Sequence, residues 1–170
     1  LMSVYLLQTI NGIGIGMLYF VLAVGLSIVF GLLRFVNFAH GAFYLLGAYL
    51  GFQLLAWGLD FGIALFVAPL IAGALGWATE RLLLHRLYAK AHEFHILVTV
   101  GLALVIQEAV IVFWGPLGNT VQPPEWLQGV VIWGQFVYPK YRLFVIAFTA
   151  VLAGLLWWLL EGTRLGSIVR

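Results

Sequence analysis

Long apolar segments without charge constrain this chain more than any other feature. From Met17 to Leu33 there is no charged residue, and only Tyr19 and Ser27 interrupt the apolar sequence. Of all 170 residues, 64% are apolar and 8% charged, whereas roughly a quarter are charged in a soluble domain. Such an excess of apolar surface must face lipid, where backbone N–H and C=O groups need partners within the protein. The segments lack the alternation of a β-barrel strand, so we predict an all-α, polytopic bundle of transmembrane helices.

Five segments are long enough to cross the hydrocarbon of a bilayer, which is about 30 Å thick. Asn37 is expected to cap the second of them. In the connection before the fifth, two short apolar runs, Val130–Trp133 and Phe136–Tyr138, flank Gly134 and Gln135, which predicts a small external β-hairpin. Within a single transmembrane domain over residues 1–170, the predicted spans are about 6–33, 38–57, 61–79, 96–114 and 143–160.

Basic residues divide unequally between the two sides of this predicted bundle. If the spans alternate in direction, Lys140 and Arg142 lie on one side, and the other side carries Arg34, Arg81, Arg86, Lys90, Arg164 and Arg170. Because cytoplasmic loops are enriched in Lys and Arg, we predict an external N-terminus and a cytoplasmic C-terminus. The charged segment Glu80–His95, an aqueous loop or an interfacial helix, is then cytoplasmic. The net charge of +2 reflects this topology rather than nucleic-acid binding.

Small residues recur at four-residue spacing in several predicted spans. This spacing places them on one helix face, where they allow close approach of a second membrane helix. The positions predicted to pack in this way are Gly12 and Gly16, Gly47 and Gly51, and the series Ala68, Ala72 and Gly76.

Polar side chains inside the predicted spans are the candidates for a transport pathway. An ionisable group at membrane depth usually faces a cavity or a partner, which makes Glu108 the strongest candidate, although a carboxylate six residues before Trp114 could also reach interfacial water. His40 could equally be a structural histidine. The polar residues of the spans are Asn11, Ser27, His40, Gln53, Thr99, Gln107 and Glu108.

Several kinds of chemistry are not predicted. His92 and His95 are three residues apart, whereas the zinc-protease motif needs two histidines four apart on one helix face, so no metal site is expected. The sequence has no G-x-x-x-x-G-K-[ST] phosphate loop and no cysteine. We therefore expect neither ATP hydrolysis by this chain nor a cofactor.

The run from Val36 to Tyr49, VNFAHGAFYLLGAY, resembles the signature of the permease subunits of branched-chain amino acid ABC transporters, the LivH type. Four further segments agree with it in order: Asn11–Gly12, Glu80–Leu83, Thr99–Leu102 with Gln107–Glu108, and Thr163–Gly166. Together they cover essentially the whole chain. The resemblance implies a bacterial inner-membrane importer subunit, not an enzyme.

The same resemblance implies four partners besides the lipid bilayer: a second permease subunit, two cytoplasmic ATPase subunits and a periplasmic substrate-binding protein. The implied substrates are leucine, isoleucine and valine, and relatives that carry urea, short amides or other amino acids leave those substrates open. A non-transporting assembly subunit is a further alternative. The pathway or substrate candidates are Asn11, Asn37, His40, Tyr44, Gln107 and Glu108.

Family members are longer, with further helices and a cytoplasmic coupling segment where this sequence stops at Arg170. We therefore expect the chain to be an N-terminal portion that does not transport alone.

Overall fold

Five α-helices and one β-hairpin make up the part of the chain that the structure describes. A computed structural model describes residues 2–33, 35–88, 90–133 and 136–162. The helices are α1 (Met2–Leu33), α2 (His40–Ala56), α3 (Phe61–Leu82), α4 (His92–Trp114) and α5 (Lys140–Gly162). The prediction of an all-α bundle with a hairpin before the last helix is confirmed.

Four of these helices contain segments long and apolar enough to cross a membrane, among the residues described. The segments are Val4–Gly31, Phe61–Leu87, Glu93–Trp114 and Lys140–Gly162. The predicted second span corresponds to α2, which has 17 residues. At 1.5 Å of rise per residue, α2 is about 25 Å long, which is near the lower limit for a spanning helix.

Local sequence explains where α2 ends and α3 begins. Gly58 takes a positive φ of 84° directly after the last turn of α2, a conformation that glycine adopts without steric cost. Asp60 then precedes α3 and its side chain accepts a hydrogen bond from the Gly62 N–H at 2.8 Å. This is the usual way an aspartate caps the first turn of a helix.

The segment Glu80–His95, predicted to be an aqueous loop or an interfacial helix, is largely helical in the structure. α3 continues to Leu82, a 3-10 turn covers Leu84–Leu87, and α4 begins at His92 instead of Ile96. A helix does not have to end where the hydrocarbon ends, since charged residues can occupy its first turn in water. Glu93 does so here, where a carboxylate is favoured by the N-terminal end of the helix dipole.

The hairpin consists of β1 (Val130–Trp133) and β2 (Phe136–Pro139), paired antiparallel with Val131 opposite Tyr138 and Ile132 opposite Val137. Its predicted turn residues, Gly134 and Gln135, lie outside the described residues, as do Arg34 and the segment 163–170. The chain divides into two compact units: one combines Leu1–Leu32 with Pro123–Arg170, and the other is Leu33–Gln122. We refer to them as unit 1 and unit 2.

In unit 2, α2 packs against both α3 and α4. The contact between α2 and α3 is antiparallel and contains small residues: a Cβ built on Gly47 would lie 3.7 Å from that of Ala72, and one on Gly51 would lie 3.8 Å from that of Ala68. The buried cluster Leu54, Ala64 and Ala68 lies in the same contact. Close approach of two backbones at small residues is how membrane helices gain packing energy.

Candidate functional site

Asn37 holds the turn that leads into α2. Its Oδ1 accepts a hydrogen bond from the Ala39 N–H at 3.0 Å, and its backbone oxygen accepts one from the His40 N–H at 3.1 Å. The residue at the cap position is Ala39, and α2 begins at His40. The prediction that Asn37 itself is the cap residue is therefore corrected, because its side chain closes a turn one step before the helix.

Asn37, together with Phe35 and Ala39, is buried in unit 2. The N–H groups of Ala39 and His40 are already satisfied within the turn, so they are not available to a ligand. Asn37 therefore has a structural role, which is to stabilise the turn before α2. His40 and Tyr44 follow one helical turn apart, His40 half-buried and Tyr44 exposed.

His95 is the most enclosed ionisable side chain among the described residues, at 7% exposure. Its Nε2 lies 2.6 Å from the backbone oxygen of Leu87, and because a carbonyl only accepts, this nitrogen carries the proton. The imidazole stacks on the Phe35 ring with centroids 4.3 Å apart and an interplanar angle of 13°. His95 thus ties the start of α4 to the 3-10 turn and to the segment before α2. Sequence reasoning considered His95 only as a zinc ligand and missed this role.

The hydroxyl group of Thr99 in α4 is hydrogen-bonded within its own helix. Thr99 is fully buried, and its hydroxyl donates to the backbone oxygen of His95 at 2.7 Å. A hydroxyl bonded one turn back in its own helix adds no polar group to a pathway. The same holds for Ser27, whose hydroxyl donates to the Ala23 oxygen at 2.8 Å.

Near the 3-10 turn, the Tyr88 hydroxyl donates to the Glu80 carboxylate at 2.6 Å. Partial burial, and then this hydrogen bond and the charge of Glu80, raise the pKa of Tyr88 to about 12. The phenol therefore stays protonated and the bond stays intact across the physiological range. Tyr88 also contacts the ring of Phe35, which connects this pair to the His95 cluster.

At the opposite end of unit 2, the indole N–H of Trp114 donates to Gln53 Oε1 at 2.8 Å, and its ring lies 5.5 Å from that of Tyr49. Gln53 is thus occupied in joining the ends of α2 and α4.

Gln107 and Glu108 lie on the exposed surface of α4. Among the described residues neither makes a hydrogen bond or ion pair. Their surroundings are apolar and exposed, as Leu104, Val105 and Val112 show. A carboxylate in such a place needs water, a ligand or another protein surface.

Asn11 in unit 1 accepts two hydrogen bonds on the same oxygen. Tyr138 donates to Asn11 Oδ1 at 2.9 Å, and Arg142 Nη1 donates at 2.6 Å. The pair of donors joins α1 to β2 and α5. Asn11 was predicted as a pathway residue, but Tyr138 and Arg142 were missed. The available signal for Arg142 was its position on the side of the membrane that is poor in basic residues.

The small residues predicted to pack fall into two groups. Gly47, Gly51 and Gly76 face α3 or α2 side chains, with Phe43 lying 3.9 Å from a Cβ built on Gly76. Gly12 and Gly16 on α1 are exposed and have no atom within 4 Å of such a Cβ. Pathway candidates in unit 2 are likewise spread out, with Asn37 buried at one end and Gln107 and Glu108 exposed along α4.

The long apolar helices among the described residues are those of a multi-pass membrane protein. The chain belongs to the family described as branched-chain amino acid transport system / permease component, which matches residues 8–170. This membership identifies a transport subunit rather than an enzyme and implies an ABC transporter complex.

Individual relatives agree with the family. The chain is 30% identical over 184 aligned positions to the high-affinity branched-chain amino acid transport system permease protein BraD of Pseudomonas aeruginosa, covering 98% of the chain and 58% of that protein. It is 30% identical over 115 positions to the permease protein LivH of Escherichia coli K12, covering 62% of the chain and 37% of LivH. The chain thus spans 58% or less of these relatives. No solved structure matches it.

Proposed function

We propose that the chain is a membrane-spanning permease subunit of an ABC importer and forms part of the translocation pathway for leucine, isoleucine and valine. Its proposed partners are a second permease subunit, two cytoplasmic ATPase subunits that supply ATP hydrolysis, and a periplasmic substrate-binding protein. The observation that carries this proposal is the family match along residues 8–170. The names of the BraD and LivH relatives support the substrate class.

The proposed orientation has the N-terminus outside the bacterial inner membrane and the C-terminus in the cytoplasm. The segment before α2, the end of α3 and the start of α4 meet through Phe35, Tyr88 and His95 at one end of unit 2. Arg81, Arg86 and Lys90 belong to this same end and are exposed there. Basic side chains are favoured on the cytoplasmic side, which supports placing this end inside.

Among the candidate residues of unit 2, we assign the pathway to Gln107 and Glu108 of α4 and to His40 and Tyr44 of α2. An amino acid is a zwitterion with an apolar side chain, so a pathway for it needs a few polar groups on apolar helix surfaces. Glu108 fits this requirement best, because its carboxylate is exposed on an apolar face. It would interact with the substrate ammonium group through a charge-assisted hydrogen bond. Asn37 shapes the turn before α2.

The test uses the full-length gene product assembled with its ATPases and binding protein in proteoliposomes. We expect ATP-dependent uptake of leucine, isoleucine and valine. Glu108→Gln keeps the side-chain size but removes the charge, and should lower the rate of leucine uptake roughly tenfold or more, as expected when a hydrogen bond to a charged group is lost. Glu93→Gln is the matched control, because Glu93 is an exposed carboxylate in the first turn of the same helix.

The outcomes separate the alternatives. Uptake of urea or short amides without leucine would keep the permease but overturn the substrate. ATPase subunits that co-purify but gain no activity from loaded binding protein would indicate an assembly subunit instead. Equal uptake by the Glu108→Gln and Glu93→Gln variants would remove Glu108 from the pathway.

A further inference from the structure

The guanidinium group of Arg142 is held in a fixed place at the start of α5. Its Nη1 donates to Asn11 Oδ1 at 2.6 Å, and the Tyr138 hydroxyl donates to the same oxygen at 2.9 Å. Tyr138 itself is buried. The arginine head group is therefore directed onto α1 by the neutral side chain of Asn11, which Tyr138 also holds, and its charge is not neutralised.

That charge has no counterion within the described part of the chain, where Arg142 makes no ion pair. Asn11 lies seven residues inside the apolar segment Val4–Gly31, or about 10 Å along the helix axis. An uncompensated cation beside such a segment is costly unless an anion or water reaches it. In the proposed orientation it also lies on the outer side, where basic residues are not favoured by topology. Arg142 is thus a positioned and exposed cation without an ion-pair partner among the described residues.

We propose that Arg142 forms a carboxylate-binding subsite, with Asn11 and Tyr138 as its positioning residues, and that its ligand is the α-carboxylate of a free amino acid. A guanidinium has five N–H donors, of which one is bonded to Asn11. The remaining donors can hold a carboxylate through two parallel hydrogen bonds. Arg142 is exposed, so these donors are accessible. The proposal rests on the proposed transport of amino acids and adds which substrate group is recognised at this end.

The experiment measures equilibrium binding of radiolabelled leucine to the full-length permease complex in nanodiscs of phosphatidylcholine, without the binding protein. Two competitors each lack one charge of leucine: 4-methylpentanoate has no ammonium group and leucinamide has no carboxylate. In the wild type, 4-methylpentanoate should compete and leucinamide should compete at least about tenfold less well, which is the loss expected for a hydrogen bond to a charged group.

Variants then show which residue is responsible for recognising the carboxylate of leucine. Arg142→Gln should bind leucine roughly 10- to 100-fold more weakly and lose the difference between the two competitors. Arg142→Lys keeps the charge but not the planar guanidinium group, and its affinity for leucine should lie between that of the wild type and that of Arg142→Gln. Asn11→Ala removes the acceptor that orients Arg142 and should weaken binding while preserving the order of the competitors. Lys140→Gln removes a positive charge two residues away and should match the wild type.

Leucinamide competing as well as 4-methylpentanoate in the wild type would overturn the subsite. So would wild-type affinity for leucine in Arg142→Gln, or equal losses in Arg142→Gln and Lys140→Gln. If Arg142→Gln instead releases the second permease subunit during purification, the carboxylate belongs to that subunit and the proposal is wrong. ATP-dependent leucine uptake by the wild type, measured in parallel with binding protein present, keeps the proposed function standing in each of these cases.

Discussion

At the scale of single residues, buried polar groups decide how the helix ends of unit 2 are joined, and His95 is the clearest case. The bond from Nε2 to the Leu87 oxygen and the stack on Phe35 are both lost in His95→Ala. In His95→Phe only the hydrogen bond is lost. The Leu87 oxygen keeps its hydrogen bond from the Lys90 N–H at 2.8 Å, so the loss is that of one hydrogen bond, about 0.5–1.5 kcal/mol, and in His95→Ala a cavity adds to that cost. We therefore expect the thermal midpoint in detergent to fall in both variants, and further in His95→Ala.

The matched control is His85→Phe, because His85 is exposed within the same 3-10 turn. Fluorescence-detected size-exclusion chromatography of heated samples measures the midpoint. If His95→Phe and His85→Phe denature at the same temperature, the hydrogen bond to Leu87 contributes nothing to stability.

At the scale of elements, the antiparallel contact between α2 and α3 depends on small residues at positions 47 and 51, both glycine. A Cβ at Gly51 would lie 3.8 Å from that of Ala68, which is ordinary contact, and alanine gains roughly 1 kcal/mol of helix propensity over glycine. Gly51→Ala should therefore be neutral or stabilising. Gly51→Leu overfills the contact and should destabilise the chain by about 1–3 kcal/mol.

Gly16→Leu is the control for Gly51→Leu, since a side chain on Gly16 meets no atom within 4 Å. The thermal midpoint of the isolated chain in detergent should fall for Gly51→Leu and stay unchanged for Gly16→Leu. Similar midpoints for both would mean that α2 and α3 do not pack at these glycines.

The elements themselves were largely predictable, because apolar length and turn chemistry are local properties. The five helices and the hairpin strands follow from these local properties. The errors occur where the structure depends on the surroundings of a segment or on residues far away in the sequence. The fourth span was predicted to begin at Ile96, whereas α4 begins at His92, since charged residues in a first turn can extend a helix into water. The contacts of Asn11 with Tyr138 and Arg142 join residues 127 and 131 positions apart. The local sequence does not indicate which of the many possible partners so far along the chain will be hydrogen-bonded to Asn11.

At the scale of the whole molecule, the number of membrane crossings depends on α2, which is shorter than the other four helices. Its contacts with α3 share one antiparallel register: Phe43 faces Gly76, Gly47 faces Ala72, and Gly51 faces Ala68. Continued to the helix ends, this register places His40 beside Thr79 and Ala56 beside Ile63. The helix α2 thus accompanies α3 through most of the apolar segment Phe61–Leu87, and we predict that both cross the membrane.

The chain contains no cysteine, so single cysteines report the crossings directly. Phe38→Cys and Trp57→Cys flank α2 at exposed positions, and Lys90→Cys and Trp126→Cys mark two later connections. With five crossings and basic residues inside, an impermeant maleimide added to intact spheroplasts should label positions 57 and 126 and spare 38 and 90 until the membrane is opened. Positions 38 and 57 reacting from the same side would show that α2 does not cross. Positions 90 and 126 reacting from the same side would remove α4 as a crossing, and with it the pathway assigned to Glu108.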